Sequence, residues 1–380
     1  MSNGRGRALP PAPPGEGPLL WLRLAAGQPA DGSGAGAALR PQLRAMRRDL
    51  RLLATHPAPV GETGVAPDPG DAATMLRELR PAAILLVGDD LPEELLLAAG
   101  RARLPVILAD ARLHGLRPPQ LWQRSRRRAA VEALTRVLVA DAAAQSAAIR
   151  AGVPEGRVER TGPLMATPAP PGCSEAERAA LAAALRGRQV WFAAAVPEAE
   201  EAAVLAAHET ALQHSHRALL VVAPADPERA QALMLRAEAQ GLGAALRSQT
   251  DEPGPDIQVL VADDPGEAGL WYRLAPVTYA GGTLAGGATA PDPFAPAALG
   301  SAILRGPQTG AAPAAWAALE AGRALRPVRD EADLGPGVEE LLAPERAAEL
   351  AARAWAVSTA GAAVAQRIAA AVAAVLPPPA

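Results

Sequence analysis

ADDPGEAGLWYRLAPVTYAGGTLAGGATAPDPFAPAALGSAILRGPQTG, residues 262–310, is the most informative stretch of this chain. Two short apolar runs, 277–280 and 302–304, read as strands, and each is followed by glycine. Gly281, Gly282 and Thr283 close the first run. A glycine has no Cβ, so backbone N–H groups there can approach an anionic ligand, and the Thr283 hydroxyl can add a further bond. Gly266 and Glu267 open a helix whose positive end could face phosphate in the same way. The plainer reading, that these glycines only turn the chain, stands beside the functional one at even weight.

Outward from this segment the pattern repeats. Strand-like runs at 190–194, 218–222 and 257–261 precede it, separated by Ala/Leu/Arg-rich helical stretches. Further upstream the runs are 19–24, 51–55, 83–87, 106–109 and 137–140. Strand alternating with helix implies a parallel α/β sheet. The Pro/Gly-rich stretch 163–172 fits a linker between an N-terminal domain, 19–162, and a C-terminal domain, 173–380. Two successive Rossmann-like, doubly wound domains are expected to face each other across a cleft at the carboxyl ends of their strands. Residues 1–18 are Pro, Gly and Arg without period and are expected to form a disordered tail.

Local signals refine this. Ser174 and Glu177 are spaced as a capping box, and Asp226 with Pro227 as N-cap and first helical residue. Residues 345–376 read as an Ala-rich amphipathic helix packing across the lobes.

The bulk numbers agree with a two-lobed globular protein. A chain of 380 residues suits two domains of about 150 to 200 residues each. Apolar residues make up 49% and aromatics 3%, so the core is built from Ala, Leu and Val. Every basic residue is Arg, and 37 basic against 40 acidic side chains give no net basic face of the kind nucleic-acid binding requires. A single cysteine, Cys173, excludes an internal disulfide and a Cys-based zinc site, and fits a reducing cytoplasm. The N-terminus lacks a signal-peptide core, and no run is expected to approach a membrane span of ~20 apolar residues.

Segment 262–310 resembles the 3-deoxy-D-manno-octulosonic acid (Kdo) transferases, whose pattern reads ADTxGELGLxYRLAPVxFxGGSL and then HNPLEPAALGxPVLxGPxT. The corresponding positions here are Asp263, Gly266, Glu267, Gly269, Leu270, 272–276 and 281–284, then Asp292 in the place of the Asn, Pro293, 296–300, Gly306 and Pro307. The similarity continues upstream in VILADARLHG, in ERTGPL at 159–164 and in VVAPADPER at 221–229.

Such a resemblance implies a GT-B-type glycosyltransferase that moves Kdo from CMP-Kdo to a lipid A precursor in lipopolysaccharide core biosynthesis. It implies inverting transfer without a metal or other cofactor. The C-terminal domain would hold the donor through Pro224, Gly266, Glu267, Gly281, Gly282, Thr283 and Asp292, and the N-terminal domain the acceptor. The location implied is cytoplasmic, with peripheral contact at the inner membrane.

The chain departs from the family at several site positions. The family base is a Glu closing a WxHAxSxGE motif after the first strand, where it takes the proton of the acceptor hydroxyl. Here the place reads WLRLAAGQ, with Arg23 for His and Gln28 for Glu. A carboxamide accepts no proton at neutral pH, so Glu62 or another carboxylate would have to substitute. The family Arg and His of PRHPER fall at Ala225 and Asp226, and the Glu of NPLEP at Ala295. THPGEE becomes AVPEAE with Val196 in the His place, and ETELWP becomes GDDLPE at 88–93. Two alternatives follow: an impaired paralogue acting as a binding or regulatory protein, or a transferase using another nucleotide sugar.

Two further clusters have plain readings. His208, His214 and His216 miss the i, i+4 spacing of a helix-borne metal pair and are read as a solvated helix end. Arg124, Arg126, Arg127 and Arg128, with Trp122, could meet anionic lipid headgroups, but a polar helix face is favoured.

Overall fold

The computed structural model of the chain describes residues 12–26, 35–56, 66–67, 72–113, 124–165, 170–250, 252–285, 290–310 and 312–378. It divides into two units, Met1–Thr167 with Ala360–Ala380, and Pro168–Thr359, so the break falls inside the 163–172 stretch.

In the first unit β1 (Leu19–Leu24), β2 (Arg51–His56), β3 (Ala66–Pro67), β4 (Ala83–Val87), β5 (Val106–Ala111), β6 (Leu134–Val139) and β7 (Val158–Arg160) form one parallel sheet in the order β3-β2-β1-β4-β5-β6-β7. This is doubly wound topology, with the order reversing between β1 and β4. Helices α1 (Ala35–Met46), α2 (Ala72–Leu79), α3 (Glu93–Arg101), α4 (Arg124–Glu132) and α5 (Ala142–Arg150) lie between the strands in sequence. Because side chains alternate along a strand, Trp21, Ile84, Leu86 and Val106 enter one core with α2 to α5, while Leu22, Leu85, Val87 and Ile107 enter the opposite core with α1. Burial on both faces explains why these strands are apolar runs rather than alternating ones.

The second unit repeats the plan. Its strands are β8 (Gln189–Val196), β9 (Ala218–Pro224), β10 (Ala244–Leu246), β11 (Val259–Val261), β12 (Val277–Ala280), β13 (Ala302–Arg305) and β14 (Arg326–Pro327). They pair in parallel in the order β10-β11-β9-β8-β12-β13-β14, reversing between β8 and β12. The helices are α6 (Glu175–Ala184), α7 (Glu198–His214), α8 (Ala230–Ala239), α9 (Ala268–Leu274), α10 (Phe294–Ala298), α11 (Pro313–Ala321), α12 (Glu331–Leu342) and the long α13 (Pro344–Ala373). Trp191, Val222, Val277 and Leu304 pack with α7, α8 and α12, and Phe192, Val221 and Leu260 with α6 and α9.

The two-domain α/β architecture expected from the strand runs is therefore present, with four corrections. First, the C-terminal residues do not all belong to the second domain. Val364, Ile368, Ala369 and Val372 of α13 complete a core of the first unit, so the boundary 173–380 is too long. Second, α13 is long and apolar enough to cross a membrane, which the sequence reading did not expect, although 44% of its most apolar window is buried in the fold. Its Ala-rich faces serve folded cores. Third, the end of the expected tail is ordered: Arg51 donates from Nε to Gly17 O at 2.7 Å and from its backbone N to Pro18 O at 3.0 Å. Fourth, the capping box is half formed. Ser174 Oγ accepts from Glu177 N at 3.4 Å, but the Glu177 carboxylate turns to Arg247 instead.

The linker is tied down at each end within its own unit. Leu164 N donates to Asp110 Oδ1 at 3.0 Å in the first, and Arg273 Nη1 donates to Pro171 O at 2.7 Å in the second.

Candidate functional site

Open doubly wound sheets bind ligands outside the carboxyl ends of their strands, where the strand order reverses. Each unit has one such edge.

In the first unit it is built by the ends of β1, β4 and β5. Ala25 N extends the ladder to Val87 O at 2.9 Å, and Gly88, at φ +106°, turns the chain out of β4. Three acids follow on the rim. Asp89 Oδ1 accepts from Arg112 N at 2.5 Å and Leu113 N at 3.1 Å. Asp110 is buried and left-handed at φ +53°, and its Oδ1 accepts from Leu164 N. Asp90 Oδ2 accepts from Arg23 Nη1 at 2.8 Å, with side chains 39% and 11% exposed respectively. These residues, with Ala25, Ala26, Gly88 and Arg112, surround a cavity of about 480 Å³. Left-handed φ at Asp110 and at Leu113 (+56°) marks backbone held in a costly conformation beside this cavity.

At the second edge the glycine loop follows β12. Gly281 is required by proximity, because a Cβ there would stand 2.5 Å from Ala195 O. The N–H groups expected to face a ligand are already occupied. Glu200, in the first turn of α7 and 1% exposed, accepts from Tyr279 Oη at 2.7 Å, Gly282 N at 2.8 Å, Leu284 N at 2.9 Å and Ala285 N at 2.7 Å. Burial, then the Glu200 charge, pushes the Tyr279 phenol well above its ordinary range and keeps it a donor. Thr283 is buried as well. Its hydroxyl donates to Ala280 O at 2.5 Å and accepts from Gly306 N at 2.8 Å, locking the ends of β12 and β13 together. Gly282 and Thr283 thus spend on the chain's own groups the bonds that the sequence reading reserved for an anion.

The remaining expected donor contacts lie along the same edge. Pro224 ends β9 opposite Val196, across an irregularity in which Ala195 is left-handed at φ +50°. Asp226 caps the next turn, accepting from Glu228 N at 3.1 Å, so it is occupied locally. Asp264 caps the equivalent turn after β11 through Gly266 N at 2.8 Å, leaving Gly266 exposed. Glu267 lies 3.5 Å from Arg247 Nε; burial raises its pKa, opposed by Arg247 and reinforced by Glu177 and Asp264. Asp292 Oδ1 accepts from Phe294 N at 2.9 Å at the start of α10, and Ala295 packs against the apolar core on the α6/α9 face.

Gln28, Glu62 and Trp122 lie outside the described residues. His208 is a correction: it is buried within α7, not solvated. Its Nδ1 accepts from Trp191 Nε1 at 3.1 Å, and burial lowers its pKa to about 4. His214 and His216 are exposed at the helix end. Two of the four arginines of α4 pair with α3, Arg127 with Glu93 at 2.6 Å and Arg126 with Glu93 and Glu94 at 3.5 and 3.3 Å, while Arg128 pairs with Glu132 of its own helix at 2.9 Å.

Sequence reasoning missed Glu200 and its neighbour Glu201, which is 1% exposed and holds Arg229 and Arg236 at 2.9 and 3.2 Å. The signal available was a pair of acids in the first turn of a helix directly after a strand.

Residues 33–166 match the family described as 3-deoxy-D-manno-octulosonic-acid transferase (kdotransferase). The 3-deoxy-D-manno-octulosonic acid transferase of Bordetella pertussis is 32% identical over 307 residues, 77% of this chain and 70% of the relative. The enzyme of the same name from Haemophilus influenzae is 28% identical over 158 residues, 41% of this chain and 36% of its own. Among solved structures, the C-terminal CMP-Kdo binding domain of WaaA from Acinetobacter baumannii is similar at 27% identity and a TM-score of 0.44, covering 48% of this chain and 96% of that one.

Proposed function

The chain belongs to the 3-deoxy-D-manno-octulosonic acid transferase family, and on that premise we propose that it transfers Kdo from CMP-Kdo to a lipid A precursor in lipopolysaccharide biosynthesis. The observation that carries the proposal is the length of the match to the Bordetella pertussis enzyme, 77% of this chain. The second unit would hold the nucleotide sugar and the first the acceptor. A rim of aspartates suits a polyhydroxylated acceptor, because carboxylate oxygens accept hydrogen bonds from hydroxyls. No metal or other cofactor takes part in this proposal. The work site is the cytoplasmic face of the inner membrane, reached peripherally, since the acceptor is a lipid.

Thermal stability with CMP, against UMP and ADP, tests the donor. A ligand bound only by the folded state at about 100 times its Kd stabilises by about 2.7 kcal/mol. A CMP-selective rise is expected. A rise with UMP or ADP alone would replace CMP-Kdo by another nucleotide sugar.

One second reading has its own observations. Gln28, Ala225 and Ala295 replace three polar groups of the family pattern, which favours an impaired paralogue acting as a binding or regulatory protein. It predicts no sugar transferred and no shift with any of the three nucleotides.

A further inference from the structure

We infer that Asp90 is the general base that deprotonates the acceptor hydroxyl in this chain. The inference rests on the transferase reading above and names the group that performs its proton transfer.

The placement comes from strand register. Leu24 of β1 pairs with Val87 of β4, so the loops after the two strands leave the sheet side by side at the point where the order reverses. Asp90 comes three residues after Val87, and it lines one cavity with Ala25 and Ala26, which follow β1.

Among the three rim acids Asp90 has its carboxylate oriented by a guanidinium, that of Arg23. Asp89 and Asp110 accept from backbone N–H groups and hold the loops in shape. Asp90 gives one oxygen to Arg23, and among the described residues its Oδ1 accepts no hydrogen bond. Its side chain is 39% exposed and lines the 480 Å³ cavity, a size within the range of small-ligand sites. Arg23, 11% exposed, is the positioning residue: its guanidinium donates to Asp90 Oδ2 at 2.8 Å and orients the carboxylate.

The step balances. The acceptor oxygen bonds to the anomeric carbon of Kdo as its proton passes to Asp90 Oδ1. The bond from that carbon to the phosphate oxygen breaks, its electron pair leaves with CMP, and Asp90 later returns the proton to water.

The test uses the full chain with CMP-Kdo and a lipid A precursor, comparing wild type with Asp90→Asn, Asp90→Glu and Asp90→Ala. Loss of a general base lowers kcat by about 10² to 10⁴-fold. The expected result is such a loss in Asp90→Asn, with donor KM and the CMP-induced rise in Tm unchanged. Partial recovery is expected in Asp90→Glu, and in Asp90→Ala on adding formate, which a merely structural role would not produce. Asp90→Asn transferring at the wild-type rate overturns the assignment and leaves the family activity standing. A wild-type chain that binds CMP and transfers nothing overturns the transferase reading, and the base with it.

Discussion

At the carboxyl edge of the first sheet three aspartates surround an open cavity, while at the corresponding edge of the second the chain's own Glu200 fills the ring of donors behind the glycine loop. The same topology yields one edge with an available carboxylate and one whose most conspicuous donors are satisfied internally. Glycines after a strand show where backbones come close. They do not show which anion the exposed N–H groups receive. In the second unit that anion is a side chain, Glu200 of α7, while the turn at Gly266 stays exposed.

The contrast can be broken by mutation. Replacing Glu200 by Leu leaves the Tyr279 hydroxyl and Gly282 N buried without an acceptor and also releases the part-buried bonds to Leu284 N and Ala285 N. Each buried orphan costs about 1–3 kcal/mol, so the loss should be about 2 to 6 kcal/mol, read from urea unfolding. The equivalent change at the first edge, Asp89→Ala, frees only Arg112 N and Leu113 N beside an open cavity and is expected to cost about 1 kcal/mol. Equal losses would show that the two edges are not built differently.

A second difference is acid sensitivity. His208 is depressed from 6.5 to about 4 by burial, so the unfolded chain takes up its proton first. The stabilising contribution is complete above pH 6.5 and is lost as pH falls toward 4, in total about 3 kcal/mol. His208→Gln should flatten the stability slope across that window in the second unit. An unchanged slope would mean that His208 is not held neutral.

Smaller effects sharpen the picture. Gly306→Ala places a Cβ 2.2 Å from Thr283 O, at the lock between β12 and β13. A loss of about 2 kcal/mol is expected from such overpacking, measured as a fall in urea midpoint. Arg126→Ala removes surface pairs to Glu93 and Glu94 and should cost under about 1 kcal/mol, shrinking further with added salt.

How far the sequence was legible follows the range of the forces involved. β4 and β12 match their expected bounds residue for residue, because parallel strands buried on both faces must be continuous apolar runs. Asp226 caps its turn as expected, a bond spanning two residues. Glu200, by contrast, meets partners 79 to 85 residues away, and the His208–Trp191 bond crosses from helix to sheet. No local pattern records such pairings. Nor does the helical period of α13 change where it leaves one unit for the other, so residues 360–380 were assigned to the wrong domain. The scaffold of the candidate site was readable in the glycines and the family pattern. Which of its polar groups stand free was settled only by tertiary contacts.

The most direct test of the central claim is to incubate the purified chain with CMP-Kdo and a lipid A precursor and follow the acceptor by mass spectrometry. An acceptor heavier by at least one Kdo residue, formed with release of CMP, is expected. An unchanged acceptor, from protein shown by thermal shift to bind CMP, would contradict that claim.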